Sequence, residues 1–312
     1  MPMATSTNND FLLSTSDLAA FVGLSPKDCL QELENLYGSL SYKSLVEPKI
    51  VRRYLSSKGY QYPHQVISFQ MLKGGVAKTT SALNFGLRAA MYGASVLFVD
   101  LDQQANLSFA LGVEDESLPV WVDIVEKKVK AKAAVVKIDD GVDLIPSSLN
   151  NSVLDRVLLN GSRNWAQAVK TPLKEIQGLY DIVIIDTAPN LSAINTAVTC
   201  ASDLVVLPIN PDKFSVSGMK KHLADLQELK SEFGLSFSEK ILFTKFDGRE
   251  SASRDILSQV AESFSDQLMN HYIRTSTDIK NTIGTSKTIF NSKSNAKEDY
   301  DMVTKELLGF LG

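Results

Sequence analysis

Cysteine is scarce in this chain. Of 312 residues only Cys29 and Cys200 are cysteine, far apart and in apolar surroundings. That spacing argues against a disulfide scaffold and against a cysteine-ligated metal or iron–sulfur site, and it favours a reducing compartment. Long hydrophobic runs are missing too. No stretch approaches the ~20 apolar residues of a membrane span. The opening "MPMATSTNND" has neither the basic start nor the apolar stretch of a signal peptide. The expected compartment is therefore the cytoplasm. Positive charge is not in excess, since the formal net charge is −4. This argues against a protein that coats nucleic acid with its whole surface, and leaves room for a local basic patch. Internal repeats and low-complexity tracts are absent. What remains is an ordinary globular composition, 44% hydrophobic and 22% charged, on a chain long enough for one large α/β domain with a small appendage.

The appendage is expected over residues 1–62. After a polar start, "LSTSDLAAFVGLSPKDCLQELENLYG" reads as two short helices around a turn. Leu18, Phe21 and Val22 have helical spacing and Gly23 ends the first; Ser25-Pro26 opens the second, with Cys29, Leu30, Leu33 and Leu36 on one face. "EPKIVRRYLSSKGYQYP" adds a third helix closed by Gly59. The result is a small all-α unit of helix-turn-helix style, joined to the larger domain at Tyr62-Pro63. It fits a packing or dimerisation module as well as sequence-specific DNA binding, and Arg52 and Arg53 are its only adjacent arginines. From residue 63 to 312 the pattern changes. Apolar runs such as "VISFQML", "SVLFVD", "VDLIPS", "YDIVIIDTAP", "DLVVLPIN" and "KILFTKFD" alternate with helical segments. That alternation predicts an α/β fold, a doubly wound, mostly parallel sheet flanked by helices on both faces.

Three motifs carry chemistry. "KGGVAKTT" follows an apolar strand and precedes a helical pattern. It departs from the usual GxxxxGK[ST] spacing, because Ala77 stands where the last glycine is expected. Gly74 and Gly75 let backbone N–H groups turn towards phosphate, and the helix after the loop offers its N-terminus to the anion. Lys78 can reach β- and γ-phosphates, and the Thr79 hydroxyl can ligate Mg²⁺. Ala77 must avoid the left-handed backbone region or absorb strain there. The second motif, "LFVDLDQQANLS", sends Asp100 and Asp102 from one strand end to the same side. The third, "YDIVIIDTAPNLS", ends an apolar strand in Asp186.

Together these residues resemble the ParA/MinD family of ATPases, P-loop NTPases whose deviant Walker A motif is written KGGxxK[ST]. The resemblance covers about residues 63–312. It implies that residues 74–80 (Gly74, Gly75, Val76, Ala77, Lys78, Thr79 and Thr80) cradle ATP, with Mg²⁺ as cofactor. It also implies that Lys73 is the signature lysine that reaches across a homodimer to the partner's phosphates. "DLDQQAN" is similar to the family's DxDPQxN, with Gln103 in place of proline. By that likeness Asp102 orients the attacking water, Asp100 supports the magnesium shell, and Asp186 is the Walker B carboxylate. Lys73, Lys78 and Asp102 are then the catalytic group, and Thr79, Asp100 and Asp186 the metal group. The later strands imply a base site near Pro208, Asn210, Pro211, Phe246 and Asp247. The segment "IRTSTDIKNTIGTSKTIFNSKSNAKEDY" resembles the family's region for non-specific DNA contact, and offers Arg274, Lys280, Lys287, Lys293 and Lys297 as a phosphate-binding stripe.

The resemblance thus implies a plasmid or chromosome partition ATPase with a helix-turn-helix-like extension. It would bind nucleoid DNA as an ATP dimer and release it when a ParB-type partner stimulates hydrolysis. A positioner of protein cargo could share the same ATPase, and a DNA-binding regulator could work through residues 11–60. A membrane cycler would need a basic amphipathic C-terminal helix, and "YDMVTKELLGFLG" is short and carries acids; no membrane contact is expected. An iron–sulfur reductase would need ligating cysteines, for which Cys29 and Cys200 are unsuited.

Overall fold

The computed structural model describes residues 11–40, 44–160, 164–282, 288–291 and 293–311. Strand β1 (Leu13–Ser14) leads into α1 (Thr15–Val22), where the Ser14 hydroxyl accepts the Asp17 N–H and Gly23, at φ 72°, ends the helix. Helix α2 (Pro26–Tyr37) is capped by Ser25 with proline in its first turn. Strand β2 (Leu45–Val46) pairs antiparallel with β1 and leads into α3 (Pro48–Ser57). The three expected helices are present, with a two-residue sheet added.

This unit shares its core with the rest of the chain. Leu18, Cys29, Val51 and Tyr54 belong to the same buried cluster as Phe85, Tyr92 and Phe310. Arg52 donates to the Gly93 carbonyl at 2.9 Å and to both oxygens of Asp181, and its guanidinium lies 4.4 Å from the Tyr62 ring centroid. A Cβ on Gly93 would come within 2.7 Å of the Arg52 backbone nitrogen, so glycine is what lets α3 approach. Of the two arginines, Arg52 is therefore spent on docking the helices to the sheet domain, and only Arg53 stays exposed.

Strand β3 (Gln65–Phe69) is succeeded by α4 (Lys78–Met91), β4 (Val96–Asp100), α5 (Asn106–Ala110) and α6 (Trp121–Val125). Then come β5 (Val136–Asp139), β6 (Val142–Ile145), α7 (Leu154–Asn160), α8 (Lys170–Lys174) and β7 (Ile182–Asp186). The chain continues with α9 (Ala193–Ala201), β8 (Leu204–Ile209), α10 (Lys213–Phe233), β9 (Ser238–Phe243), α11 (Ser251–Ser263), α12 (Thr277–Thr282) and α13 (Asn295–Leu307). The seven-stranded sheet runs β5-β6-β4-β7-β3-β8-β9, parallel throughout except for the antiparallel edge pair β5–β6. Its central strands are buried on both faces. Phe98 and Ile184 turn into one apolar cluster, and Leu97, Val99, Val183 and Ile185 into another. Helix α4 lies close on the sheet: a Cβ on Gly86 would sit 2.3 Å from the Phe98 ring. The chain leaves β3 for β4 on one side and later returns through β8 on the other, with β7 inserted between β3 and β4. The C-terminal ends of β3, β4 and β7 thus meet where the winding reverses, which is where open α/β sheets bind ligands.

Candidate active site

The loop between β3 and α4 holds the first motif. Gly75 stands at φ 74° and Ala77 at φ 68°, ψ 32°. Ala77 therefore takes the left-handed conformation in full and absorbs the strain that the sequence put in question. In return its carbonyl accepts the Ser81 N–H at 2.9 Å, which starts α4. Lys78 is 7% exposed. Burial pulls its pKa down, against the upward pull of the Asp186 and Asp102 charges. It makes no ion pair within 4.0 Å among the described residues. Lys73, at the loop's start, points elsewhere. Its ammonium donates to both Asp212 oxygens at 2.8 Å and lies 3.1 Å from Ser215 Oγ. Asp212 also caps α10 by accepting the Ser215 N–H. Burial would raise the Asp212 pKa, but these hydrogen bonds outweigh it and hold the carboxyl below its ordinary value.

The strand ends bring the carboxylates together, with Asp100 opposite Asp186 in the β4–β7 register. The Thr79 hydroxyl donates to one Asp186 oxygen at 2.6 Å, while the other is buried without a partner among the described residues. Burial first, and then the neighbouring Asp100 charge, push Asp186 up to about 8. An orphaned, fully buried carboxylate oxygen beside a hydroxyl is a donor set for a hard cation, and Mg²⁺ fits it. Among the described residues no cluster of three or more His, Cys, Asp or Glu could hold a metal unaided. Such a cation would need further oxygens from a ligand and water. Asp100 is bound within its own chain. Its oxygens already accept the Asp102 N–H at 3.1 Å, the Ser108 N–H at 2.9 Å and the Ser108 hydroxyl at 2.7 Å. Burial raises it to about 6 against those hydrogen bonds. The geometry makes it the anchor of the β4–α5 turn, opposite Asp186 in the strand register. Asp102, 7% exposed, accepts the Gln104 N–H at 2.9 Å and lines the cavity in front of the loop.

That cavity measures about 800 Å³. The loop, Lys78, Thr79 and Asp102 give it polar lining, and Leu83, Ile273, Ile279 and Tyr300 give it apolar lining. The residues expected around a base stand off this wall. Pro208 is buried within β8, and Asn210 is turned to the Gly75 carbonyl and Thr244. Phe246 packs against Phe243 and Tyr272, Asp247 is held by Arg249, and Pro211 does not line the cavity. Thr244, Lys245, Ile273, Arg274 and Thr275 line it. The available signal was the polar turn "TKFD" after an apolar strand, which the parallel sheet delivers to the same edge.

Arg274 was expected on a DNA-binding stripe. It sits instead in the cavity wall, its Nη2 donating to Asp299 at 2.6 Å and to Glu298 at 3.3 Å, because β9's continuation lies against α13. Lys297 is likewise engaged, with Asp17 at 3.0 Å. Lys293 is exposed. Lys287 and the side chain of Lys280 lie outside the described residues.

Comparison with known proteins agrees with this arrangement. A family described as AAA domain matches residues 64–238. A ParA family protein of Chlamydia muridarum is 31% identical over 256 residues, 79% of this chain and 98% of that protein. The structure of apo McdA from Cyanothece superposes with a TM-score of 0.72 and 25% identity, covering 79% of this chain and all of that one (100%). Cobyrinic acid a,c-diamide synthase of Mycobacterium smegmatis, with bound ATP analogue and magnesium, gives a TM-score of 0.70 and 27% identity over 78% of this chain and 94% of its own. With a phosphate loop flanked by Lys73 and Lys78 and a sheet of matching topology, the chain belongs to the ParA family of P-loop ATPases.

Proposed function

We propose that this protein is a DNA-partition ATPase: it binds ATP with Mg²⁺ in the cavity, closes into a homodimer, and hydrolyses ATP to ADP and phosphate. The observation that carries this reading is the division of labour between two lysines on one loop. Lys78 lines the cavity, whereas Lys73 is tied to Asp212 outside it. A lysine that serves its own nucleotide needs the first position; a lysine that serves a neighbour's needs a place from which it can be released. The Lys73–Asp212 pair is partly exposed, and such pairs are worth ~1 kcal/mol or less, so phosphate can outbid it.

In this reading Gly74, Gly75 and the first N–H groups of α4 hold the phosphates, and Lys78 neutralises them. Thr79 and Asp186 hold the cation, which when bound offsets the charge that develops on the transferred phosphoryl group. Asp102 accepts a hydrogen bond from the attacking water and orients it. The apolar lining of the cavity takes the base. Non-specific DNA binding is assigned to the dimer, with Lys293, Lys280 and Lys287 as candidate contacts and nucleoid association as the result. A ParB-type partner is proposed to stimulate hydrolysis and release.

DNA binding measured with no nucleotide, with ADP and with ATP tests the cycle. Binding should appear only with ATP, on a species that sediments as a dimer. Lys73→Ala should bind ATP and remain monomeric. Equal DNA affinity in all three states overturns the switch, and normal dimerisation of Lys73→Ala removes the cross-subunit role. An ATP-driven dimer that ignores DNA would overturn the DNA-partition reading; a positioner of protein cargo would share the ATP-dependent DNA binding and is told apart by the cargo it carries.

A further inference from the structure

The phosphate loop is held from behind by side chains that neither the motif nor the catalytic scheme uses. The Gly75 carbonyl accepts from Lys245 Nζ at 2.6 Å and from Asn210 Nδ2 at 3.3 Å. The next carbonyl, that of Val76, lies 3.2 Å from the Thr244 hydroxyl. All three side chains come from the ends of β8 and β9. A peptide unit is planar and trans, so its C=O and N–H point in opposite directions. Holding the Gly75 carbonyl towards Lys245 turns the Val76 N–H away from it, and holding the Val76 carbonyl does the same for the Ala77 N–H.

Lys245 is itself in an unusual conformation, at φ 54° in the left-handed region that favours glycine. A non-glycine residue there is strained, and it persists only where its surroundings fix it. Here the Lys245 carbonyl accepts the Thr275 hydroxyl at 3.0 Å, and the Thr275 N–H bonds to the Phe246 carbonyl at 2.9 Å. The exposed side chain spans from that turn to the loop, lining the cavity as it goes. Glycine would suit the backbone better, so what keeps a lysine in a strained turn at the rim of the site is its ammonium.

We propose that Lys245 is a positioning residue for the phosphate loop: its ammonium fixes the Gly75–Val76 peptide so that the loop's N–H donors are preset for an anionic phosphate chain. The assignment rests on the ATP reading and deepens it. Because every nucleotide phosphate chain meets the same loop, Lys245 supports ADP and ATP alike. Lys73 and Asp102, by contrast, act on the triphosphate dimer and on turnover.

Lys245→Gly separates positioning from stability, because it relieves the turn while deleting the ammonium; Lys245→Arg restores a cation at that position. Titration calorimetry with MgADP and MgATP should show both affinities about tenfold weaker in Lys245→Gly, the size expected for one charge-assisted hydrogen bond to the loop. The thermal midpoint should be unchanged or higher. Turnover at saturating ATP should be retained, so that KM rises and kcat does not. Lys245→Arg should recover most of the lost affinity. Unchanged affinity in Lys245→Gly overturns the assignment, as does a fall in kcat at constant KM. A lower thermal midpoint that Lys245→Arg does not restore overturns it in favour of a structural role. Wild-type protein that binds neither nucleotide overturns the ATP reading, and this assignment with it.

Discussion

Helix α4 buries a cation at each end, and the two are treated in opposite ways. Arg88, 1% exposed, donates to Asp301 at 2.6 Å and to Asp17 at 3.0 Å, with the rings of Tyr92 and Phe290 about its guanidinium. Asp17 and Asp301 are in turn met by Lys297 and Lys305. At the other end Lys78 has no ion pair among the described residues, and nearby Asp186 keeps a buried oxygen with no donor. A buried charge saturated by its own chain belongs to the architecture. One left unsatisfied, at the edge where the strands end, is a place kept for a ligand.

The largest test breaks the saturated end. Arg88→Met leaves Asp17 and Asp301 facing a buried apolar side chain, and should cost about 3 kcal/mol or more of unfolding free energy. Urea denaturation monitored by tyrosine and tryptophan fluorescence measures it. A loss below ~1 kcal/mol, the range of an exposed ion pair, would make the clamp an incidental surface contact. Arg88→Met together with Asp301→Asn should recover part of the loss, as coupled partners do.

The same contrast explains what could be read from the sequence. The phosphate loop, the carboxylates at the strand ends and the parallel sheet were legible, because each is written within one strand and the turn after it. Three short helices in residues 11–60 were legible for the same reason. The Arg88 clamp was not, because its partners lie 71 and 213 positions away. Nothing local distinguishes Arg52, which docks α3 on Asp181, from Arg53, which remains exposed. Charge counting gathered Arg274 and Lys297 into a DNA stripe, yet the fold brings Asp299 and Asp17 against them. That Lys245 lines the cavity while Phe246 does not could not be read from the sequence, because the turn after β9 bends Lys245 towards the loop while turning Phe246 into the core. The antiparallel edge strand β5 is only four residues, Val136–Asp139, and follows a lysine-rich stretch that masks its alternation.

At the unsatisfied end, Asp186→Asn replaces a buried carboxyl that folding must hold protonated at neutral pH with an amide that needs no proton, while keeping a hydrogen-bond partner for Thr79. The nucleotide-free protein should gain on the order of 2–3 kcal/mol, the desolvation cost of an unpaired buried group. It should also lose the rise in thermal midpoint that MgATP gives the wild type. Differential scanning fluorimetry with and without MgATP reads both. A destabilised variant that still responds to MgATP would mean that Asp186 is structural.

His222 sharpens the comparison, since it is buried and unsatisfied but does not line the cavity. Neither ring nitrogen has a hydrogen-bond partner among the described residues. Burial lowers its pKa to about 4, aided by the Lys78 charge and opposed by Asp225. The unfolded ring titrates near 6.5, so the folded state binds fewer protons between the two values. Stability is then full above pH ~6.5 and falls as the pH drops towards 4, by ~2 kcal/mol at pH 5. Urea midpoints at pH 5, 6 and 7 should track that slope in the wild type and flatten in His222→Leu. A slope that persists in the variant would assign the acid sensitivity elsewhere.

The smallest effect concerns the strain stored next to Lys78. Ala77 at φ 68° bears a conformational cost of about 1–2 kcal/mol that glycine would not. Glycine in turn adds about 0.4–1 kcal/mol of unfolded-state entropy. Ala77→Gly should therefore raise stability by ~1 kcal/mol or less, seen as a higher urea midpoint at constant slope. Ala105, at φ 53° before α5, is the matched control. It too has a left-handed backbone and belongs to the β4–α5 turn rather than to the phosphate loop itself, so Ala105→Gly should give a similar gain. The two should part in nucleotide binding. If the methyl group of Ala77 stiffens the loop, MgADP affinity falls in Ala77→Gly and holds in Ala105→Gly; if both hold, Lys245, Asn210 and Thr244 alone keep the loop in shape. A loss of stability in Ala77→Gly would show that the left-handed alanine is not strained, and that its methyl group is packed to advantage in a loop otherwise left open for its ligand.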